Sequence, residues 1–146
     1  MSSVETITEK VVDEYGNIRS EEQGYMEGAD VFNFVIREVP RDFNRLIEYS
    51  DIDVSSIDYF VFHQANSYIN GFLAKKLKLP EDKLPATIHK FGNTSSVSIP
   101  LTIVSELKDK LPERKRILMS GFGVGLTWGT AVIDVEDCHI SDIVEV

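Results

Sequence analysis

The segment from Val97 to Leu107 constrains the fold of this chain more than any other. Val97, Ile99, Leu101, Ile103, Val104 and Leu107 follow a turn-rich stretch, Gly92-Asn93-Thr94-Ser95-Ser96, and form a helix with almost no polar face before Glu106. Thr94, Ser95 and Ser98 are each acceptable N-caps. Pro100 is tolerated in a first turn, where N–H groups lack intrahelical partners anyway. A helix apolar all round is buried all round. A domain of 146 residues rarely covers a helix that completely, so this one is expected to meet another domain or subunit.

The rest of the chain alternates between strand-like and helix-like segments. Residues 4–12 read as a strand, and the polar stretch with Gly16, Asn17, Gly24 and Gly28 reads as a long loop. From Val31 the period turns helical, with Val31, Phe34 and Val35 on one face and Phe43, Leu46 and Ile47 in a second stripe. Pro40 lies between them and should kink that helix or split it in two. Ile57 to Phe62 is a nearly continuous apolar run, suited to a strand buried on both faces. Ile69, Phe72, Leu73 and Leu77 mark the next helix, which Leu79-Pro80 stops. Residues 86–90 are expected to form a short strand. Ile117 to Met119 and Leu126 to Val135 are two more, joined by the Gly-rich turn 121–125 and therefore antiparallel. The order β-α-β-α-β-α-β-β predicts an α/β fold: a mixed, mostly parallel five-stranded sheet with helices on both faces.

Bulk properties exclude several classes of function. Net charge is −9, which argues against a broad nucleic-acid surface. No run approaches the ~18–20 apolar residues that span a bilayer, and the first residues show no secretory signal. Cys138 is the only cysteine, so no internal disulfide forms, which suits a reducing, cytoplasmic setting. With one Cys and three scattered His, no metal-site spacing exists.

Three segments carry candidate chemistry, each read as lying at the C-terminal end of a strand, where open α/β sheets bind ligands. The first is His63-Gln64-Ala65-Asn66. His63 closes an apolar strand, and the reading stays open between a structural histidine and a neutral imidazole that donates an N–H to a carbonyl oxygen. A helix N-terminus nearby would disfavour the imidazolium. The second is Gly92-Asn93-Thr94, in which Asn93 is either a turn residue or an amide donor aimed at a developing oxyanion. The third is Gly121 to Gly125. Its Gly-x-Gly-x-Gly pattern is no dinucleotide fingerprint, because a strand rather than a helix follows; glycines here let backbone N–H groups approach a ligand closely. His89 and His139 read as surface residues. Cys138 lies in the acidic stretch Glu136-Asp137-Cys138-His139 and is a poor candidate nucleophile.

Together these stretches resemble one family. Asp58-Tyr59-Phe60-Val61-Phe62-His63-Gln64-Ala65-Asn66, Phe91-Gly92-Asn93-Thr94-Ser95-Ser96 and Gly121-Phe122-Gly123-Val124-Gly125-Leu126-Thr127-Trp128-Gly129 look like β-ketoacyl-acyl-carrier-protein synthase III in content, order and spacing. Met26-Glu27-Gly28 followed by Val31-Phe32 is similar to the family's approach to its first C-terminal-half helix. The resemblance covers roughly residues 4–134 and implies that residues 1–146 form the C-terminal half of a thiolase-like fold. The implied nucleophilic Cys would lie in the N-terminal half, which this chain does not contain, and the helix around 97–107 would face that half.

The resemblance further implies a decarboxylative condensation. His63 and Asn93 match the catalytic residues that hold the malonyl thioester oxygen. The backbone N–H of Val124 matches an oxyanion donor, and its side chain, larger than is usual there, would narrow the pocket. Phe122 and Asn66 match pocket residues. Lys75 and Lys76, with Lys78 nearby, match a docking face for acyl-carrier protein, although Tyr68 stands where a basic residue is common. The implied substrates are acyl-coenzyme A and malonyl-acyl-carrier protein, with no resident cofactor, in a homodimeric enzyme. Two other readings stand beside this one: a related thiolase-fold acyltransferase, and a non-catalytic half that scaffolds a complementary subunit.

Overall fold

The computed structural model describes residues 10–12, 16–20 and 27–144, in two compact units, 1–31 and 32–146. In the first unit β1 (Lys10–Val12) pairs antiparallel with β2 (Ile18–Ser20), Val11 opposite Arg19. The strand predicted over 4–12 is thus present from Lys10, and residues 4–9 lie outside the described residues. Part of what was expected to be a long loop is β2, because the β-branched Val11, Val12 and Ile18 favour an extended backbone.

Helix α1 (Gly28–Ser50) runs through Pro40 as one helix rather than two. The physical reason is local. Proline has no N–H, so the carbonyl of Ile36, four residues back, loses its helical donor. The ammonium of Lys76 donates to that carbonyl at 2.6 Å, and the orphaned acceptor is satisfied from outside the helix.

The main sheet of the second unit has the order β3-β4-β5: β3 (Tyr59–Phe62) parallel to β4 (Lys115–Gly123), and β4 antiparallel to β5 (Thr127–Val135). The α/β class, the mixed sheet and the antiparallel last pair follow the sequence expectation. The strand count does not: among the described residues this sheet has three strands, not five. Residues 86–90 are the principal correction. Ile88–Phe91 form a one-turn helix, α3, because the N–H groups of Thr87 and Ile88 are taken by the Gln64 side chain and those of Lys90 and Phe91 by the carbonyl of Thr87, which breaks up any ladder.

Pleating sorts the core into two layers. On one face Val61 and Ile117, flanked by Tyr59, Met119, Ile133 and Val135, pack against Ile99, Ile103 and Leu107 of α4 (Ser98–Leu107) and against Leu111. On the other, α1 meets the sheet through Phe43 against Phe60, 6.1 Å between ring centroids, and Phe34 against Trp128, 5.1 Å. Helix α2 (Ser67–Leu77) lies beside α1, with Phe72 and Tyr68 against Phe32. Helices therefore cover both faces, and β3 between them is apolar throughout because Phe60, Val61 and Phe62 are all buried.

Helix α4 divides into three stripes. Ile99, Ile103 and Leu107 face the sheet. Ser98 and Thr102 are buried in a polar seam. The third stripe, Val97, Pro100, Leu101 and Val104, is only partly covered, and Val97 remains 53% exposed. An apolar stripe of this kind seeks cover. The isolated chain is expected to self-associate in sedimentation velocity, and Val97→Glu combined with Leu101→Glu to reduce the association; a monodisperse wild-type monomer would contradict this.

Candidate active site

The site begins where β3 stops. Phe62 pairs with Ser120 on β4, and the N–H of the next residue, His63, donates to the carbonyl of Ser120 at 2.9 Å. This last rung sets His63 at the C-terminal edge of the parallel pair, the edge at which such sheets bind ligands. The imidazole is half-buried. The ring of Phe122, two residues further along β4, stands at 87° to it with centroids 5.1 Å apart. Its Nδ1 lies 2.6 Å from the hydroxyl of Ser98. Burial pushes the His63 pKa below the ordinary value of 6.5, so the ring is neutral at neutral pH. The cause is burial, not the helix dipole invoked from the sequence: α2 starts only at Ser67.

Ser98 is the residue that sequence reasoning misassigned. It was offered as an N-cap together with Thr94 and Ser95, yet no side chain caps α4, whose N-cap position is Val97. Ser98 is instead the first helical residue. Its hydroxyl touches His63 Nδ1 and accepts from the N–H of Gln64 at 3.3 Å. Thr102, one turn on, donates its hydroxyl to the Ser98 carbonyl at 2.7 Å and lies 2.7 Å from the hydroxyl of Thr87. The sequence did carry a signal for this seam, namely two small hydroxyl residues spaced i, i+4 in an otherwise apolar helix.

Gln64 links the strand end to the next loop. It is 1% exposed, and both ends of its amide group are hydrogen-bonded. Nε2 donates to the Phe62 carbonyl at 2.8 Å, while Oε1 accepts from the N–H groups of Thr87 at 3.1 Å and Ile88 at 3.2 Å. This fixes α3, which delivers the chain to Gly92 and Asn93. Gly92 takes φ +67° and ψ −159°, a conformation open in practice only to glycine. Asn93 is exposed; its Oδ1 accepts from the N–H of Ser95 at 2.9 Å, which orients the carboxamide and leaves the Nδ2 protons to donate elsewhere. The Gly92-Asn93-Thr94 segment therefore follows a short helix rather than the expected strand.

The other predicted residues fall as follows. Val124 lies in the turn between β4 and β5 and is 96% exposed; its carbonyl accepts from the Thr127 hydroxyl at 2.8 Å. Gly125 in the same turn has φ +134°, and a Cβ there would stand 2.8 Å from Thr127 Cγ2. Asn66 N-caps α2, its Oδ1 accepting from the N–H of Ile69 at 2.8 Å. Lys75 is exposed, whereas Lys76 is committed to the Ile36 carbonyl and stands 5.9 Å from the Phe72 ring centroid. Tyr68 is 71% exposed and stacks on Phe32. His89, Cys138 and His139 are exposed, as read from the sequence.

The structure thus brings His63, Ser98 and Phe122 into direct contact and puts the β4–β5 turn on the same edge. Asn93 lies in the segment that leads into α4, whose first residue holds His63, and its one side-chain hydrogen bond is the local one to the Ser95 N–H. An open, charged depression of about 390 Å³ along α1, bounded by Glu38, Arg41, Arg45, Glu48 and Trp128, includes none of these residues. Among the described residues no cluster of three His, Cys, Asp or Glu side chains could hold a metal ion, and no helix is long and apolar enough to cross a membrane.

The fold matches the 3-oxoacyl-(acyl-carrier protein) synthase of Burkholderia xenovorans LB400 with a TM-score of 0.78 at 43% identity, covering 81% of this chain and 34% of that one. A second solved 3-oxoacyl-(acyl-carrier-protein) synthase III matches with a TM-score of 0.80 at 36% identity, covering 88% and 39%. These place the molecule in the thiolase-like class. Residues 47–135 match the family described as 3-oxoacyl-[acyl-carrier-protein (ACP)] synthase III C terminal. The β-ketoacyl-[acyl-carrier-protein] synthase III of Streptococcus gordonii is 45% identical over 114 residues, 75% of this chain but 35% of that protein. The chain belongs to the 3-oxoacyl-[acyl-carrier-protein] synthase III family and corresponds to its C-terminal domain, spanning about a third of the length of the curated relatives it matches.

Because Gln64 satisfies three backbone groups at once, Gln64→Leu is expected to lower the unfolding free energy by about 3 kcal/mol or more, at roughly 1–3 kcal/mol for each group left unpaired. Denaturant titration checks this; a change below about 0.5 kcal/mol would show that water replaces the side chain.

Proposed function

We propose that this chain is the catalytic C-terminal half of a β-ketoacyl-acyl-carrier-protein synthase III-like enzyme, acting in fatty acid or polyketide-like biosynthesis. The whole enzyme condenses an acyl group from coenzyme A with malonyl-acyl-carrier protein. The nucleophilic Cys that accepts the acyl group belongs to the complementary N-terminal half. The observation that carries this reading is His63, half-buried at the C-terminal edge of β3, its pKa lowered by burial and its Nδ1 engaged by Ser98, which leaves Nε2 as the nitrogen to meet substrate.

The chemistry follows from charge development. As the malonyl C–C bond breaks and carbon dioxide leaves, the electron pair moves into an enolate and negative charge builds on the thioester oxygen. An N–H from His63 Nε2 and one from Asn93 Nδ2 stabilise that oxygen more in the transition state than in the ground state. A neutral imidazole suits this task because it donates a hydrogen bond without handing a proton to the enolate. The enolate carbon then attacks the acyl-Cys carbonyl, and the N–H of Val124 stabilises the resulting oxyanion. Phe122, edge-on to His63, excludes water from the reacting centre. Asn66, at the start of α2, borders the pocket. No resident metal or cofactor enters this scheme.

Docking of an acidic carrier protein falls mainly to Lys75, with Lys78 beside it, because Lys76 is already occupied and Tyr68 contributes no charge. The assembled enzyme is proposed to work as a cytoplasmic homodimer.

In the assembled enzyme, His63→Ala or Asn93→Ala is expected to cut malonyl-carrier decarboxylation by roughly 10²–10³ while sparing acylation of the Cys by acyl-coenzyme A. The chain alone should show no turnover. Loss of acylation in either variant would reassign both residues. Intact decarboxylation in both would favour a non-decarboxylating acyltransferase or a scaffold.

A further inference from the structure

The seam between β3 and α4 fixes the direction of its own hydrogen bonds. The Thr102 hydroxyl donates to the Ser98 carbonyl, so its single proton is spent and the Thr87 hydroxyl must donate to Thr102 Oγ1. The Ser98 hydroxyl accepts from the Gln64 N–H at 3.3 Å. Its own proton has one acceptor within reach among the described residues, His63 Nδ1 at 2.6 Å. The usual competitor for a helical serine, the carbonyl four residues back, is not engaged by Ser98, in contrast to Ser50, which bonds the Leu46 carbonyl at 2.7 Å.

We infer that Ser98 is a positioning residue that donates its hydroxyl proton to His63 Nδ1 and so holds the imidazole in the Nε2–H tautomer, with the donor nitrogen facing the substrate. This deepens the function proposed above and rests on it for its catalytic meaning. The ring nitrogens of histidine are distinguished by the partner that one of them keeps. A backbone carbonyl or carboxylate at Nδ1 would place the proton on Nδ1. A serine hydroxyl serves either way, and Oγ keeps a second lone pair after accepting from the Gln64 N–H; donation to Nδ1 is the direction that leaves no buried hydroxyl proton unpaired. Ser98 is 1% exposed, so water does not compete for the bond. The Gln64 N–H that biases Ser98 comes from the residue next to His63, which makes the arrangement a closed ring of short covalent span.

The test is nitrogen-15 NMR of the imidazoles in the assembled enzyme, with His63 identified by its loss in His63→Gln. The expected wild-type spectrum shows Nδ1 unprotonated and Nε2 protonated at neutral pH. In Ser98→Ala the His63 signals should move toward a tautomer mixture, and Ser98→Thr, which keeps the hydroxyl, should restore the wild-type pattern. In parallel, kcat for malonyl decarboxylation should fall roughly five- to tenfold in Ser98→Ala with KM little changed, and recover in Ser98→Thr. A wild-type ring protonated on Nδ1 would overturn the inference, and that measurement stands even if Ser98→Ala does not fold. An unchanged tautomer in a folded Ser98→Ala would overturn it too. The expected tautomer in a wild-type enzyme that does not decarboxylate malonyl thioesters would support the role of Ser98 while refuting the proposed reaction.

Discussion

The buried amide of Gln64 is the interaction on which the site depends. Three loops have no secondary-structure bond to one another: the end of β3, the approach to α3 and the start of α4. Gln64 joins the first two through its side chain and the third through its N–H to Ser98. Buried polar networks of this sort are favourable only when their members are satisfied, and here both the oxygen and the nitrogen of the Gln64 amide find backbone partners. The consequence is positional. His63 is held by the strand rung below it and by Ser98 beside it, while Asn93 is delivered by a segment whose origin Gln64 fixes. The position of each is thus tied to Gln64, that of His63 through the adjacent backbone and Ser98 and that of Asn93 through α3.

A similar compensation governs the long helix. Pro40 removes one hydrogen bond from α1, and the side chain of Lys76 on α2 supplies it to the Ile36 carbonyl. This couples α1 to α2 by a charge-assisted bond as well as by the Phe32, Tyr68 and Phe72 rings. It also redefines the α2 surface. Of two adjacent lysines that read alike in the sequence, one is part of the packing and the other is free to meet a partner. The distinction depends on which face of the helix meets α1, and no property of the dipeptide itself encodes it.

Much of the architecture could be read from residue patterns. The continuous apolar run before His63 specified a strand covered on both faces, and the strand-turn-strand at the Gly-rich segment specified an antiparallel pair. The uncovered stripe of α4 was visible as a helix with too few polar residues. The errors share a cause. Residues 86–90 have strand-like composition, but their N–H groups are captured by a side chain more than twenty positions away, and tertiary capture overrides local preference. Ser98 looked like a cap because caps and buried hydroxyl donors use the same residue types; only the location of His63 distinguishes them. The second strand of the hairpin, Ile18–Ser20, is too short to announce itself among polar neighbours. The position of His63 and Asn93 at strand and loop ends was legible, whereas the hydrogen bonds that orient them were not, because these arise from contacts that no linear spacing records.

The central claim is that one oxygen of a malonyl thioester lies between the imidazole of His63 and the carboxamide of Asn93. A crystal structure of the assembled enzyme with a non-decarboxylating malonyl-thioester analogue tests it most directly. The account predicts the thioester oxygen within about 2.7–3.2 Å of both His63 Nε2 and Asn93 Nδ2. An analogue bound with that oxygen against other donors, or with the two side chains facing different cavities, would contradict it.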